Sequence, residues 1–166
     1  YEGAAKATMI CTTLLWGKIF VTLAIQGFKR FAAGTRPPED SGYNKGAQSY
    51  GMTQGAVSEE AKEADIRWGR IVQNDTENIP FGLVALWGAL AFADNYDAHI
   101  AFTVFWTAAR FLHTILYANK ISLIRGILFI MSHVAIFGAL INGCVGVYDR
   151  FDQKGCDLVT QSNLLT

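Results

Sequence analysis

Arg67, Arg70, Asn74 and Glu77 are the residues of this chain whose types and spacing most readily suggest chemistry. Read as a helix at 100° per residue, they fall within an arc of roughly 80° on one face. That face offers two guanidinium forks, an amide and a carboxylate. An apolar run from Phe81 to Ala93 follows at once, so the charges stand where the chain enters a membrane. Charged groups there are costly unless they face a partner, a ligand or a wet cavity. The plainer reading is a solvated helix end whose side chains snorkel toward water. A second stripe weighs against it: Arg110, His113, Thr114 and Tyr117 share one face of a later apolar helix. His113 alone would pass for a satisfied core group, but an unpaired Arg110 in a bilayer would not.

The rest of the chain reads as the frame for these two stripes. Of 166 residues, 51% are hydrophobic and only 17% charged, and the apolar residues come in long blocks. Mean hydropathy is +0.22. This composition describes one integral membrane domain over 1–166, all-α, with four spans at about 7–28, 78–93, 99–117 and 124–147. Lys18 sits in the middle of the first span, where a lone lysine is an interior or snorkelling residue more often than a functional one. Residues 34–57 form a loop broken by Pro37-Pro38, and 149–166 form a polar tail. Ser58 is an N-cap for a second helix that runs through Arg67 to Ala93 and projects beyond the bilayer, with a kink expected at Pro80. His99 stands at the wet end of the third span and reads as solvated. Gly138, Ala139, Gly143 and Gly146 permit close contact along the fourth.

Basic residues cluster in the first and third loops and their flanks (Lys29, Arg30, Arg36, Lys45, Lys62, Arg67, Arg70, Lys120, Arg125), against Lys6, Arg150 and Lys154 on the other side. The charged helix end therefore faces the cytoplasm, matrix or stroma. Zero net charge and the lack of a basic run give no reason to expect nucleic acid. Cys11, Cys144 and Cys156 form neither a zinc pattern nor a disulfide framework. The chain starts at Tyr1, so a preceding segment cannot be read.

Three blocks in register carry a resemblance. Arg67-x-x-Arg70-x-x-x-Asn74-Asp75-x-Glu77-Asn78-Ile79-Pro80-Phe81 resembles the signature of the membrane-associated eicosanoid and glutathione metabolism (MAPEG) family. Arg110-Phe-Leu-His113-Thr114-Ile-Leu-Tyr117 with Arg125 resembles its second block, and Pro38-Glu39-Asp40 a third. The Glu-Asn-Ile-Pro-Phe wording is most similar to the microsomal glutathione transferase branch. The resemblance implies a homotrimer of four-helix protomers in the endoplasmic reticulum or an organelle membrane (mitochondrial or plastid), with glutathione bound between neighbouring protomers. It implies that Arg30 and Arg70 meet glutathione carboxylates, and that Asn74 and Glu77 hold its backbone and ammonium. Arg110, His113 and Tyr117 would line the cleft, and Arg125 would sit by the sulfur as the catalytic group. The implied activity is glutathione transfer or reduction of lipid hydroperoxides, acting on lipophilic electrophiles. Val72 and Gln73 depart from the family, where many relatives carry basic or imidazole groups. Gly126 stands where the prostaglandin E synthase branch has a hydroxyl residue. That argues against prostaglandin synthesis and leaves the transferase reading open, whereas the lost basic group at Gln73 and the start at Tyr1 motivate the alternative, a catalytically reduced member serving as an accessory subunit of a larger membrane complex.

Overall fold

The computed structural model describes residues 1–43, 47–52 and 57–164, with side chains described as far as residue 152. Four helices, α1 (Glu2–Ala32), α2 (Glu59–Phe92), α3 (Tyr96–Ala118) and α4 (Leu123–Leu164), account for nearly all of it. A short 3-10 turn over Pro38–Gly42 interrupts the first loop. The loop reading over 34–57 extends onto residues outside the described ones (44–46 and 53–56). Among the described residues α1 and α4 do not touch. Each packs on both α2 and α3, which meet across the diagonal of the bundle.

Local chemistry sets the helix ends. Ser58 Oγ accepts from the Ala61 amide at 3.2 Å, with Glu59 and Glu60 in the first turn of α2. Gly34, at φ +66°, closes α1 in the left-handed conformation, and the Thr35 amide returns to the Arg30 carbonyl. Asn95 Oδ1 accepts from the Asp97 and Ala98 amides to start α3. The Asn95 amide donates to Asn142 Oδ1 at 3.0 Å, and Asn142 Nδ2 donates to the Asn95 carbonyl at 2.9 Å. That exchange latches α4 to the α2–α3 turn.

Among the described residues three helices are long and apolar enough to cross a membrane: Glu2–Ala32, Tyr96–Ala118 and the Leu123–Asp152 part of α4. α2 is the fourth member of the bundle but does not qualify on hydropathy. Its apolar half begins only at Phe81, after Pro80 and the charged stripe. The bundle is nonetheless that of an integral membrane protein, with α2 seated between the other helices. Two sequence readings need correction. α4 continues as helix to Leu164 where a polar tail was expected from 149, since no proline interrupts this stretch. His99 is fully buried rather than solvated, because the start of α1 covers it. Its Nε2 lies 3.2 Å from Thr8 Oγ1. Thr8 already donates to the Ala4 carbonyl, so His99 Nε2–H is the donor of this pair.

The core joins Leu15, Ile79, Leu86, Trp106, Ala135 and Ala139. Glycines allow the helices to close on it. Gly82 lies under the Trp106 indole, Gly138 under the Phe102 ring, and Gly143 against Ala89. Gly146 lies against the Phe92 carbonyl, backbone on backbone, so an added methyl has no flexible neighbour to displace. Gly146→Ala is expected to destabilise the protein by about 1–3 kcal/mol. Gly88→Ala, whose Cβ would meet nothing within 4 Å, is expected to be neutral or slightly stabilising. Thermal unfolding of both variants in detergent checks the contrast.

Candidate functional site

A polar layer crosses the bundle and draws on every helix. Lys18 of α1 donates to Asp75 Oδ2 of α2 at 2.5 Å, with side chains only 4% and 1% exposed. Arg110 of α3, 1% exposed, donates through Nη1 to Asn74 Oδ1 of α2 at 2.9 Å. Its Nη2 lies 3.4 Å from Ser132 Oγ of α4. Ser132 gives its own proton to the Phe129 carbonyl at 2.7 Å, which leaves the oxygen free to accept from Arg110. Arg110 Nε and Asp75 Oδ1 are buried without a partner. The layer therefore holds two cations and one anion, with donor and acceptor capacity to spare.

The layer positions the outward residues. Arg70, Gln73 and Glu77 are exposed on α2, and Asn74 beside them is half-buried because Arg110 holds its carbonyl. Gln73 Nε2 donates to Glu77 Oε1 at 2.9 Å, so the neutral amide steadies the carboxylate. Val72 is buried, so a basic or imidazole group at that position would point into the protomer. A cavity of about 260 Å³ opens beside this stripe. Glu77, Arg110 and His133 supply its polar wall, and Phe81, Trp106 and Ile136 its apolar one.

Above the layer, His113 is buried between the Tyr117 and Phe129 rings, at centroid distances of 6.0 and 6.3 Å. Arg125 lies with its guanidinium 4.0 Å from the Tyr117 ring centroid, a cation–π contact that fixes it at the mouth of α4. Asn74, Glu77 and Arg110 thus form one cluster, with His113, Tyr117 and Arg125 running up one side of it. Arg30 is apart from it. It is exposed at the end of α1 and lines a separate hollow of about 450 Å³ with Gln26, Thr35, Arg36 and Tyr50. Arg67 leaves the stripe, since it pairs with Glu63 one turn back, and Glu63 also reaches Lys120 at 3.3 Å.

Several residues of this site escaped the sequence reading. Lys18 was read alone, and Asp75 only as a letter of the signature. Ser132 and His133 carried a visible signal, being the only polar residues between Ile127 and Phe137. His133 Nδ1 lies 2.8 Å from the Phe129 carbonyl, so that nitrogen carries the proton and Nε2 is left unengaged. Among the described residues no group of His, Cys, Asp and Glu could hold a metal ion. Cys11, buried, and Cys144, exposed, are free thiols.

No curated protein matches the chain. The MAPEG family model matches residues 8–144, a stretch that contains the ion-paired layer, the α2 stripe and the Arg110–Arg125 column. This protein belongs to the MAPEG family.

Proposed function

We propose that the protein is a membrane-bound glutathione transferase, or a glutathione-dependent lipid hydroperoxide reductase, acting on lipophilic electrophiles. The family includes glutathione transferases and related enzymes. The observation that supports this reading is the fixed charge of both signs around Asn74. Arg70 and Glu77 are exposed on either side of it, and buried Arg110 clamps it from behind. A tripeptide with two carboxylates and one ammonium asks for that pattern.

Glutathione supplies the sulfur nucleophile, so no side chain of the protein has to attack. The protein binds it, orients it and keeps the sulfur ionised. Arg70 grips a carboxylate as a fork, and Glu77, steadied by Gln73, takes the ammonium. Asn74 has given its carbonyl to Arg110, so its Nδ2 remains to donate to the peptide backbone. Arg110, His113 and Tyr117 wall the cleft. Arg125, anchored on Tyr117, stands where a cation stabilises a thiolate. Arg30 lines a different hollow of its own protomer and reaches the ligand only from a neighbour, in keeping with a homotrimer. A neighbouring protomer would also cover the Arg70–Glu77 face, which cannot lie against lipid at low cost.

Isothermal titration of the purified oligomer with glutathione is the test of binding. The expected dissociation constant is on the order of hundreds of micromolar, because Gln73 replaces a charge-assisted contact with a neutral one. Arg70→Ala and Glu77→Ala are each expected to weaken binding about tenfold or more. Absence of heat from the parent protein would replace this reading with that of an accessory subunit, the alternative that the departure at Gln73 favours.

Arg125→Ala separates chemistry from binding. It is expected to lower the thiolate absorbance of bound glutathione at fixed pH and to cut turnover more than it weakens affinity. An unchanged thiolate signal would remove Arg125 from the mechanism.

A further inference from the structure

The cavity beside the α2 stripe holds acceptors beyond Glu77. Asn78 of α2 lines it together with Glu77, Arg110 and His133. Asn78 Nδ2 donates to the Asn74 carbonyl at 2.7 Å, which fixes the amide and leaves Oδ1 to accept. His133 is exposed, and its ring centroid lies 4.3 Å from that of Phe129. With Nδ1 bonded to the Phe129 carbonyl, the imidazole holds one orientation and presents the Nε2 lone pair. Glu77 Oε1 takes the Gln73 amide, and its second oxygen stays open. A carboxylate, an amide oxygen and an imidazole nitrogen thus line one cavity, and each of them accepts.

Arg110 meets this cavity differently. Its Nη1 and Nη2 turn inward to Asn74 and Ser132, and the residue is 1% exposed, so it acts on the cavity through its charge.

Number and charge together select the guest. A primary ammonium carries three protons, one for each of Glu77, Asn78 and His133. A lone ammonium would be repelled by Arg110 in the same wall. An ammonium that brings its own carboxylate is not, because the charged lining is itself one anion, Glu77, and one cation, Arg110. The chemical class is therefore an α-amino acid end rather than a simple amine.

We propose that Asn78 and His133 are specificity-determining residues that complete, with Glu77, a site for the α-amino acid end of glutathione. The proposal rests on the glutathione reading above and adds a direction to it. The peptide enters with its γ-glutamyl end toward Phe81, where the apolar half of α2 begins, and its sulfur trails back toward Arg125. Length is consistent with this. Positions 125 and 133 are separated by roughly 12 Å along α4. Extended glutathione places its sulfur about 10 Å from the ammonium, and the long Arg125 side chain spans the remainder.

Isothermal titration of the full-length oligomer with three thiols tests the assignment. Glutathione is compared with glutaryl-cysteinylglycine, which lacks the ammonium, and with 4-aminobutanoyl-cysteinylglycine, which lacks the adjacent carboxylate. Each analogue is expected to bind the parent about tenfold more weakly than glutathione, or worse. His133 bonds within its own helix, so His133→Leu leaves the contacts between helices in place. That variant is expected to weaken glutathione about threefold to tenfold, the yield of one hydrogen bond, and to leave glutaryl-cysteinylglycine unchanged. Asn78→Leu is expected to show the same selective loss, and His133→Gln, which keeps an acceptor, to recover most of the affinity. An equal loss for both ligands, or no loss for glutathione, would reduce His133 to a structural role and overturn the proposal. So would a parent that binds glutathione and 4-aminobutanoyl-cysteinylglycine equally well. These results leave glutathione binding standing, whereas a parent that gives no heat with glutathione overturns the glutathione reading and this site with it.

Discussion

The structure depends on a charge buried where charge is expensive. Lys18 and Asp75 meet across the α1–α2 contact, and Arg110 ties α3 to Asn74 of α2 and Ser132 of α4. None of these groups could lie alone in a membrane core, since an isolated ion there costs at least several kcal/mol. Each therefore obliges its helix to adopt one depth and one rotation relative to the others. Apolar packing between lipid-soluble helices cannot impose such a register, because a methyl group gains little by exchanging lipid for protein. The polar layer fixes the register and the glycines permit it. Gly82 under Trp106 and Gly146 on the Phe92 carbonyl allow α3 and α4 to close on α2.

Register in turn sets which residues the exterior presents. With Arg110 holding its carbonyl, Asn74 is fixed at the edge of the bundle, and Arg70 and Glu77 stand one turn to either side. With Tyr117 beneath it, Arg125 is held by a ring face rather than left to solvent. The two sides of the layer open differently. The α2–α4 side presents both signs of charge and a small cavity. The α1–α3 side presents an apolar groove walled by Leu14, Val21 and Phe111. Buried polar groups that serve only stability tend to be saturated, whereas this layer keeps Arg110 Nε, Asp75 Oδ1 and Thr114 Oγ1 unspent.

Much of this was legible in the sequence, and for local reasons. Long apolar blocks give the helices, Ser58 gives the start of α2, and i, i+3, i+4 spacing gives the faces. Small residues on α4 correctly marked where helices close. What local patterns cannot give is which groups meet across 57 residues of chain, as Lys18 and Asp75 do. A lysine read without its partner looks like a snorkelling residue. His99 looked solvated because it opens a helix, and only the position of Thr8 on α1 puts it inside. Arg67 shares a helix face with Arg70, yet Glu63 one turn earlier captures it. Hydropathy separates α2 from its neighbours because charge fills its first half and the apolar run begins only at Phe81. The extension of α4 to Leu164 is not legible in the sequence, because polarity there marks the end of the membrane and not the end of the helix.

The central claim is that the Lys18–Asp75 pair sets the register of the bundle, and a double-mutant cycle on unfolding tests it most directly. Lys18→Met and Asp75→Leu each leave one charge buried alone, and each is expected to cost about 3–5 kcal/mol in denaturant titrations of the purified protein. The double variant removes both charges, and the account predicts that it recovers most of that loss, with a coupling energy above about 2 kcal/mol. Single variants each within about 0.5 kcal/mol of the parent, adding without coupling, would contradict it.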